Sequence, residues 1–326
     1  MRLKRLSVLL IALILLIAIS QGVPIESGVR KAIPVGYNLN DATYGWSSAI
    51  TDIYVPALLD ATTIINIGDV FGNYSVHEEI VFAGGMAIRT GLNITTPADA
   101  YGDEPFIPVD LKAITYRYVF DESIKRGNYL SNATVDEPIV LNILGRDVEI
   151  VGADKVNGDD FIAVVGKRVV LNAGSFVVVE GKTVTLVDVN QDGKVVVDVN
   201  GIQDIVNLNE IRLVNGIKIL NDEGFYSPDK SSRFARLIIG SEIFKTYNNG
   251  DEFIGQDVDD PDWIWQLSNL HAADDSGKPK INVTWDQVLT DPNEVIYEGS
   301  SVKFPNDFVI ITLKELTAGV WRDYIL

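Results

Sequence analysis

Two stretches of this 326-residue sequence gather the oxygen ligands that a hard cation requires. Asp257, Asp259, Asp260 and Asp262 stand close together, immediately before Trp263 and Trp265. Carboxylates at that density repel one another unless water or a cation separates them, and Ca²⁺ accepts about six to eight oxygens. They are candidate calcium ligands, with a solvated acidic loop as the competing reading. Asp188, Asn190 and Asp192, followed by Gly193, match the opening of a calcium loop, in which alternate oxygens converge and a glycine turns the chain. The twelfth position of that pattern is Val199 instead of a bidentate Glu, and both flanks read as strands, so a hairpin turn competes here. Trp263 and Trp265 suit either anchors for the acidic loop or a stacking surface for a sugar.

Catalytic chemistry has little to work with. The two histidines, His77 and His271, sit in no nucleophile motif, and the sequence contains no phosphate-binding loop, dinucleotide fingerprint or H-E-x-x-H pair. The absence of cysteine removes thiol nucleophiles, thiolate metal sites and disulfides. A glycosidase-like pair of acids brought together by the fold is the catalytic route left open, and no enzyme is expected.

The acids at 188–192 lie inside a ribbon of β-branched runs spanning 136–219. Runs at 139–143, 147–151, 161–165, 168–171, 175–179, 183–189, 194–199, 210–214 and 217–220 are separated by Gly145, Gly166, Gly174, Gly181, Gly193, Gly201 and Gly216. Val, Ile and Phe suit a pleated surface, and glycine or asparagine supplies the positive φ that tight hairpins demand. The fold class expected is mainly β, with antiparallel sandwich-like modules and a smaller N-terminal α/β region. In that region Asp41 caps a helix that places Trp46, Ile50 and Ile53 on one face, ahead of Pro56. The domains expected are an N-terminal region at 21–112, a β-rich domain at 113–272, and a C-terminal β segment at 273–326 that reads as part of a shortened chain.

Residues 1–20 read as a secretory signal: a basic start with Arg2, Lys4 and Arg5, an apolar run, and small residues at Ala18 and Ser20. The apolar run is shorter than the ~20 residues of a spanning helix, so no membrane span is expected after cleavage. Removing those three basic residues leaves 24 of 27 against 45 acidic ones, a net −21 where the whole sequence has −18. A surface of that sign excludes nucleic acid as a partner and favours divalent cations. Sequons at Asn73, Asn93, Asn132 and Asn282 are candidate glycan acceptors in an exported protein.

The runs Ile139-Val-Leu-Asn-Ile-Leu-Gly-Arg-Asp-Val-Glu-Ile150, Val179-Glu-Gly-Lys-Thr-Val-Thr-Leu-Val-Asp188 and Val214-Asn-Gly-Ile-Lys-Ile-Leu220 resemble surface-layer (S-layer) proteins of archaea, the type found in methanogens and their small nanoarchaeal relatives. Ala235-Arg-Leu-Ile-Ile-Gly-Ser-Glu242, the Gly250-Asp-Glu252 step and Asp259-Asp-Pro-Asp-Trp263 extend the likeness, which covers residues 119–270. The resemblance implies a secreted, glycosylated, β-rich structural subunit that tiles with copies of itself into a lattice on the cell surface, with divalent cations bridging acidic faces. A secreted carbohydrate-binding module or adhesin that engages cell-surface glycans through Trp263 and Trp265 is the alternative.

Overall fold

The structure is a computed structural model, and the residues described are 10–16, 29–67, 70–92, 105–124, 129–154, 159–268, 270, 279–291 and 294–317. Strands dominate them. The N-terminal portion contributes β1 (Leu10–Leu16), β2 (Arg30–Pro34), β3 (Asp60–Ile67), β4 (Val70–Phe82), β5 (Gly91–Leu92), β6 (Pro105–Ile107) and β7 (Ile114–Phe120). The ribbon supplies β8 (Ile139–Ile143), β9 (Arg146–Gly152), β10 (Asp160–Val164), β11 (Lys167–Asn172), β12 (Phe176–Val179), β13 (Lys182–Val189), β14 (Val195–Val199), β15 (Ile202–Val206), β16 (Ile211–Val214) and β17 (Ile217–Phe225). The remainder gives β18 (Phe234–Gly240), β19 (Phe244–Asn248), β20 (Trp263–Ser268), β21 (Lys280–Trp285), β22 (Ile296–Tyr297), β23 (Ser301–Lys303) and β24 (Ile310–Thr317). The fold is mainly β, in several antiparallel sheets.

Turn chemistry fixes the register of the hairpins. Asn200 and Gly201, between β14 and β15, have φ of 48° and 88°, and Asn215 and Gly216, between β16 and β17, have 45° and 75°. Two successive positive φ values twist a two-residue loop to match its flanking strands. The resulting ladders are regular, with Val199 opposite Ile202 and Val214 opposite Ile217.

Two cores result. The larger draws buried side chains from residues 33–163 and again from 247–313, while the smaller lies wholly between Leu171 and Ile239. The second module is an insertion: β10 and β19 pair with each other, and everything from β11 to β18 leaves and returns through the gap between them. Glycines make the neck narrow, since a Cβ on Gly240 would stand 3.2 Å from the Gly166 Cα and 2.7 Å from the Glu242 carbonyl oxygen. Within the insertion, the sheet β11-β18-β17-β16 packs on the sheet β12-β13-β14-β15. Leu220, Ile238 and Ile243, with Val135, Val164 and Phe244, pack between the modules.

The cores divide the chain elsewhere than at 112 and 272. β4 pairs with β7 across the first boundary, and β20 pairs with β21 across the second. Nor do the described residues of 21–112 form the expected α-helix. Asp41 does cap a turn, accepting from the Thr43 and Tyr44 amides at 2.8 and 2.9 Å, but the turn ends at Gly45, where a Cβ would lie 2.3 Å from the Leu39 carbonyl oxygen. Ile50 exchanges backbone hydrogen bonds with Ile80, and Ile53 is exposed. No described helix is long and apolar enough to cross a membrane. β1, inside the apolar run read as the signal, pairs with both β2 and β24.

Trp265 is fully buried among Phe161, Tyr247 and Phe253, with ring centroids 5.2, 5.9 and 4.7 Å away, and so fastens β20 to β10 and β19 at the base of the insertion. Trp265→Ala should lower unfolding free energy by roughly 3–5 kcal/mol. Urea titration at unchanged slope measures this, and a loss below about 1 kcal/mol would deny the cluster its anchoring role.

Candidate functional site

The acidic loop is held by its own chain. The Asp259 amide donates to Asp257 Oδ1 at 2.9 Å, the Asp262 amide donates to Gln256 Oε1 at 3.2 Å, and Gln287 Nε2 donates to Asp260 Oδ1 at 2.7 Å and to the Pro261 carbonyl at 3.1 Å. Burial, and then the neighbouring Asp260, raise the Asp262 carboxyl above its ordinary value. Among the described residues no three acidic or histidine side chains gather as a metal-ligand set, so Asp257, Asp259, Asp260 and Asp262 are neighbours in sequence without converging.

Asp188, Asn190 and Asp192 form the β13–β14 hairpin. Asn190 closes it by accepting, through Oδ1, from the Asp192 and Lys194 amides at 3.0 and 2.9 Å. Asp188 faces the other way: its Oδ1 accepts from Arg233 Nη1 at 2.6 Å, and that hydrogen bond holds its carboxyl below the usual range. The would-be first calcium ligand is engaged by an arginine that immediately precedes β18 of the opposite sheet.

The tryptophans belong to the core. Trp263 is 1% exposed and Trp265 0%. Trp263 donates through Nε1 to the Lys303 carbonyl at 2.9 Å and packs on Trp285 and Phe304. Neither offers a face to a sugar. His77 points at Asp121, with Nδ1 2.7 Å from its Oδ1, on the outer face of β4, and His271 lies outside the described residues.

Two polar features went unread in the sequence. Glu78 is 1% exposed, accepting from the Tyr116 hydroxyl and, through Oε2, from the Leu59 amide at 2.7 Å. Burial raises the Glu78 carboxyl and drives the Tyr116 hydroxyl well up, the latter further raised by Glu78 itself. Strand alternation carried the signal, because Val76, Glu78, Ile80 and Phe82 share the inner face of β4. The second feature is Asp222, almost fully buried, which accepts from Arg168 Nη1 at 2.6 Å while Arg168 Nη2 reaches Glu149 at 2.8 Å. This chain of charges ties β17 of the insertion to β9 of the larger module. Beside it a cleft of about 270 Å³ is lined by Val135, Ile211, Leu220 and Phe244, with Asp136 and Asp222 at its polar end.

Where the sheets of the insertion stop, apolar side chains meet solvent. Val170 on β11 is 63% exposed, Phe176 on β12 65%, Ile205 on β15 53% and Leu213 on β16 65%. All four are edge strands. Apolar side chains beside unpaired backbone on an open strand edge are the chemistry of protein contacts.

The sequons differ in access. Asn73 on β4 and Asn132 in the single turn Leu130–Asn132 are exposed, and Asn93 lies outside the described residues. Asn282 occupies β21, between Gln266 of β20 and Arg117 of β7, with its Oδ1 buried. Its partner Thr284 is 1% exposed and donates to the Ile114 carbonyl at 3.2 Å.

No family model, curated protein or solved structure matches the chain.

Two outcomes are expected. Glycopeptide mass spectrometry of the protein expressed in a glycosylating, exporting host should find sugar at Asn73 and Asn132 and none at Asn282; a glycan on Asn282 would mean that the acceptor is modified before β21 is enclosed. For Glu78 the folded pKa lies above the unfolded one, so the folded state binds its proton more tightly and stability falls as pH rises from the unfolded value of 4.5 through the folded one. Glu78→Gln removes that titration, so its stability relative to the parent should improve across this window in denaturant titrations from pH 4 to 7. A pH-independent difference would sink the assignment.

Proposed function

We propose that the chain is a structural subunit of an archaeal S-layer, exported and assembled by edge contacts of the inserted module. The observation that carries the reading is the pairing of exposed apolar residues with open strand edges on two sides of one module. Stacking of the two sheets sets β11 beside β12 on one side and β15 beside β16 on the other. Each side offers unpaired backbone groups together with large apolar side chains, a combination that soluble monomers usually blunt. Contact between one side and the opposite side of the next copy is heterologous and need not close, so it propagates into an extended array. The likeness of residues 119–270 to archaeal S-layer proteins points the same way.

Charge must be managed for such contacts to form. At net −21 after cleavage, neighbouring copies repel, and bound Ca²⁺ or another divalent cation lowers that repulsion without a single dedicated cage. The alternative of a carbohydrate-binding module loses its stacking platform, because Trp263 and Trp265 lie in the core. No enzyme activity is proposed.

Negative-stain imaging and sedimentation of the purified protein should show ordered sheets in millimolar Ca²⁺ that disperse with EDTA. Phe176→Lys and Leu213→Lys, placed on opposite sides, should each abolish assembly with little change in melting temperature. A molecule that stays monomeric at high concentration in millimolar Ca²⁺ would overturn the proposal.

A further inference from the structure

A cleft on the larger module is lined to hold a carboxylate, and we infer that it takes Val258 and Asp259, from the acidic loop of a second copy. The inference rests on the self-assembly reading above and adds a polar contact to the apolar edges. The cleft, of about 270 Å³, is lined by Arg30 and Lys31 of β2 and by Trp46, Ser47, Ser48 and Tyr54 of the segment that follows the Asp41 turn. Trp46 forms its buried wall, 6% exposed and packed on Phe82 with ring centroids 5.9 Å apart. Lys31 is held against that wall: its Nζ lies 5.7 Å from the Trp46 ring centroid and donates to the Gly45 carbonyl. Arg30 and Tyr54 line the cleft from exposed positions.

Charge singles this cleft out. The chain has 27 basic residues against 45 acidic ones, and its arginines are mostly spoken for. Arg117 holds Glu79, Arg168 holds Asp222, Arg212 holds Asp204, Arg233 holds Asp188 and Arg236 holds Glu223. Among the described residues no acid lines the cleft, and neither Arg30 nor Lys31 pairs with a carboxylate. Two unanswered cations in a concave aromatic wall call for an anion, and a guanidinium fork matches a carboxylate best.

The same chain carries a matching group. Asp257, Asp259, Asp260 and Asp262 are all exposed. Asp257 accepts from the Asp259 amide and Asp260 from Gln287, whereas the Asp259 carboxylate accepts no hydrogen bond among the described residues. Val258 beside it is 69% exposed. A free carboxylate next to a bare apolar side chain thus answers a cleft that sets cations next to Tyr54 and Trp46. The internal hydrogen bonds of the loop hold its shape, so little ordering is needed on docking. No described ion pair joins the loop to the cleft within one chain, so the contact runs between copies. Because the two surfaces differ, it is heterologous and extends from copy to copy. Charge complementarity of this kind fixes register and speeds encounter, orienting what the apolar edges hold together.

The contact can be tested apart from any lattice. A capped peptide of residues 255–262, carrying an uncharged dye, is titrated onto the whole protein at low ionic strength and followed by fluorescence anisotropy. Saturable binding is expected, fading as salt is raised. Arg30→Gln should weaken it about tenfold and Arg30→Glu should abolish it, with the melting temperature unchanged in both. A peptide carrying Asp259→Lys should fail on the parent and bind the Arg30→Glu protein, a rescue that damage to the fold could not give. Glucuronate is the second probe: a cleft that takes it and refuses the peptide holds a sugar acid, which overturns the second copy as occupant. If neither probe binds in a way that depends on Arg30, the site itself is overturned. Protein that binds the peptide through Arg30 yet forms no sheets in millimolar Ca²⁺ upholds the cleft and sinks the lattice reading. Sheets formed equally well by the Arg30→Glu variant sink the cleft contact and spare the lattice.

Discussion

A chain built almost wholly of strands cannot satisfy its backbone within any one segment: each N–H and C=O row has to find another row, often far away in sequence. β4 waits for β7, β10 for β19, and β20 for β21. Wherever a sheet ends, a row is left over. The described architecture is a record of how those rows are answered, by hairpins where turn residues allow, by an inserted module where the chain departs and returns, and at the edges by whatever else is present.

The insertion shows how the requirement is met at a single point of passage. β10 and β19 are separated by the whole smaller module, yet Phe161 lies opposite Tyr247 in their ladder. Val165 and Gly166 donate to the Ile243 carbonyl at 3.0 and 3.3 Å, sealing the neck. Beyond it Arg168 spans Glu149 and Asp222, so the two cores are fastened by charge on one flank and by Leu220, Ile238 and Phe244 on the other. A buried carboxylate held by an arginine fixes geometry more than it adds stability, because removing two charges from water offsets much of their attraction.

Much of this was legible because local chemistry and global fold agree in the ribbon. Asn200-Gly201 and Asn215-Gly216 demand hairpins, and the runs beside them became strands. The strand at Ile202–Val206 escaped notice because Gln203 and Asp204 interrupt its apolar run, as an edge strand with few buried side chains permits. The helix expected after Asp41 failed for the opposite reason: its cap is real, but Ile50 is claimed by Ile80 on a strand far away, and tertiary pairing outranks a short local preference. The acidic loop and the Asp188 turn show where composition stops informing. Gln287 and Arg233, which occupy Asp260 and Asp188, are distant in sequence and carry no motif. Glu78 could have been found, since it breaks the apolar alternation of β4 from the inside.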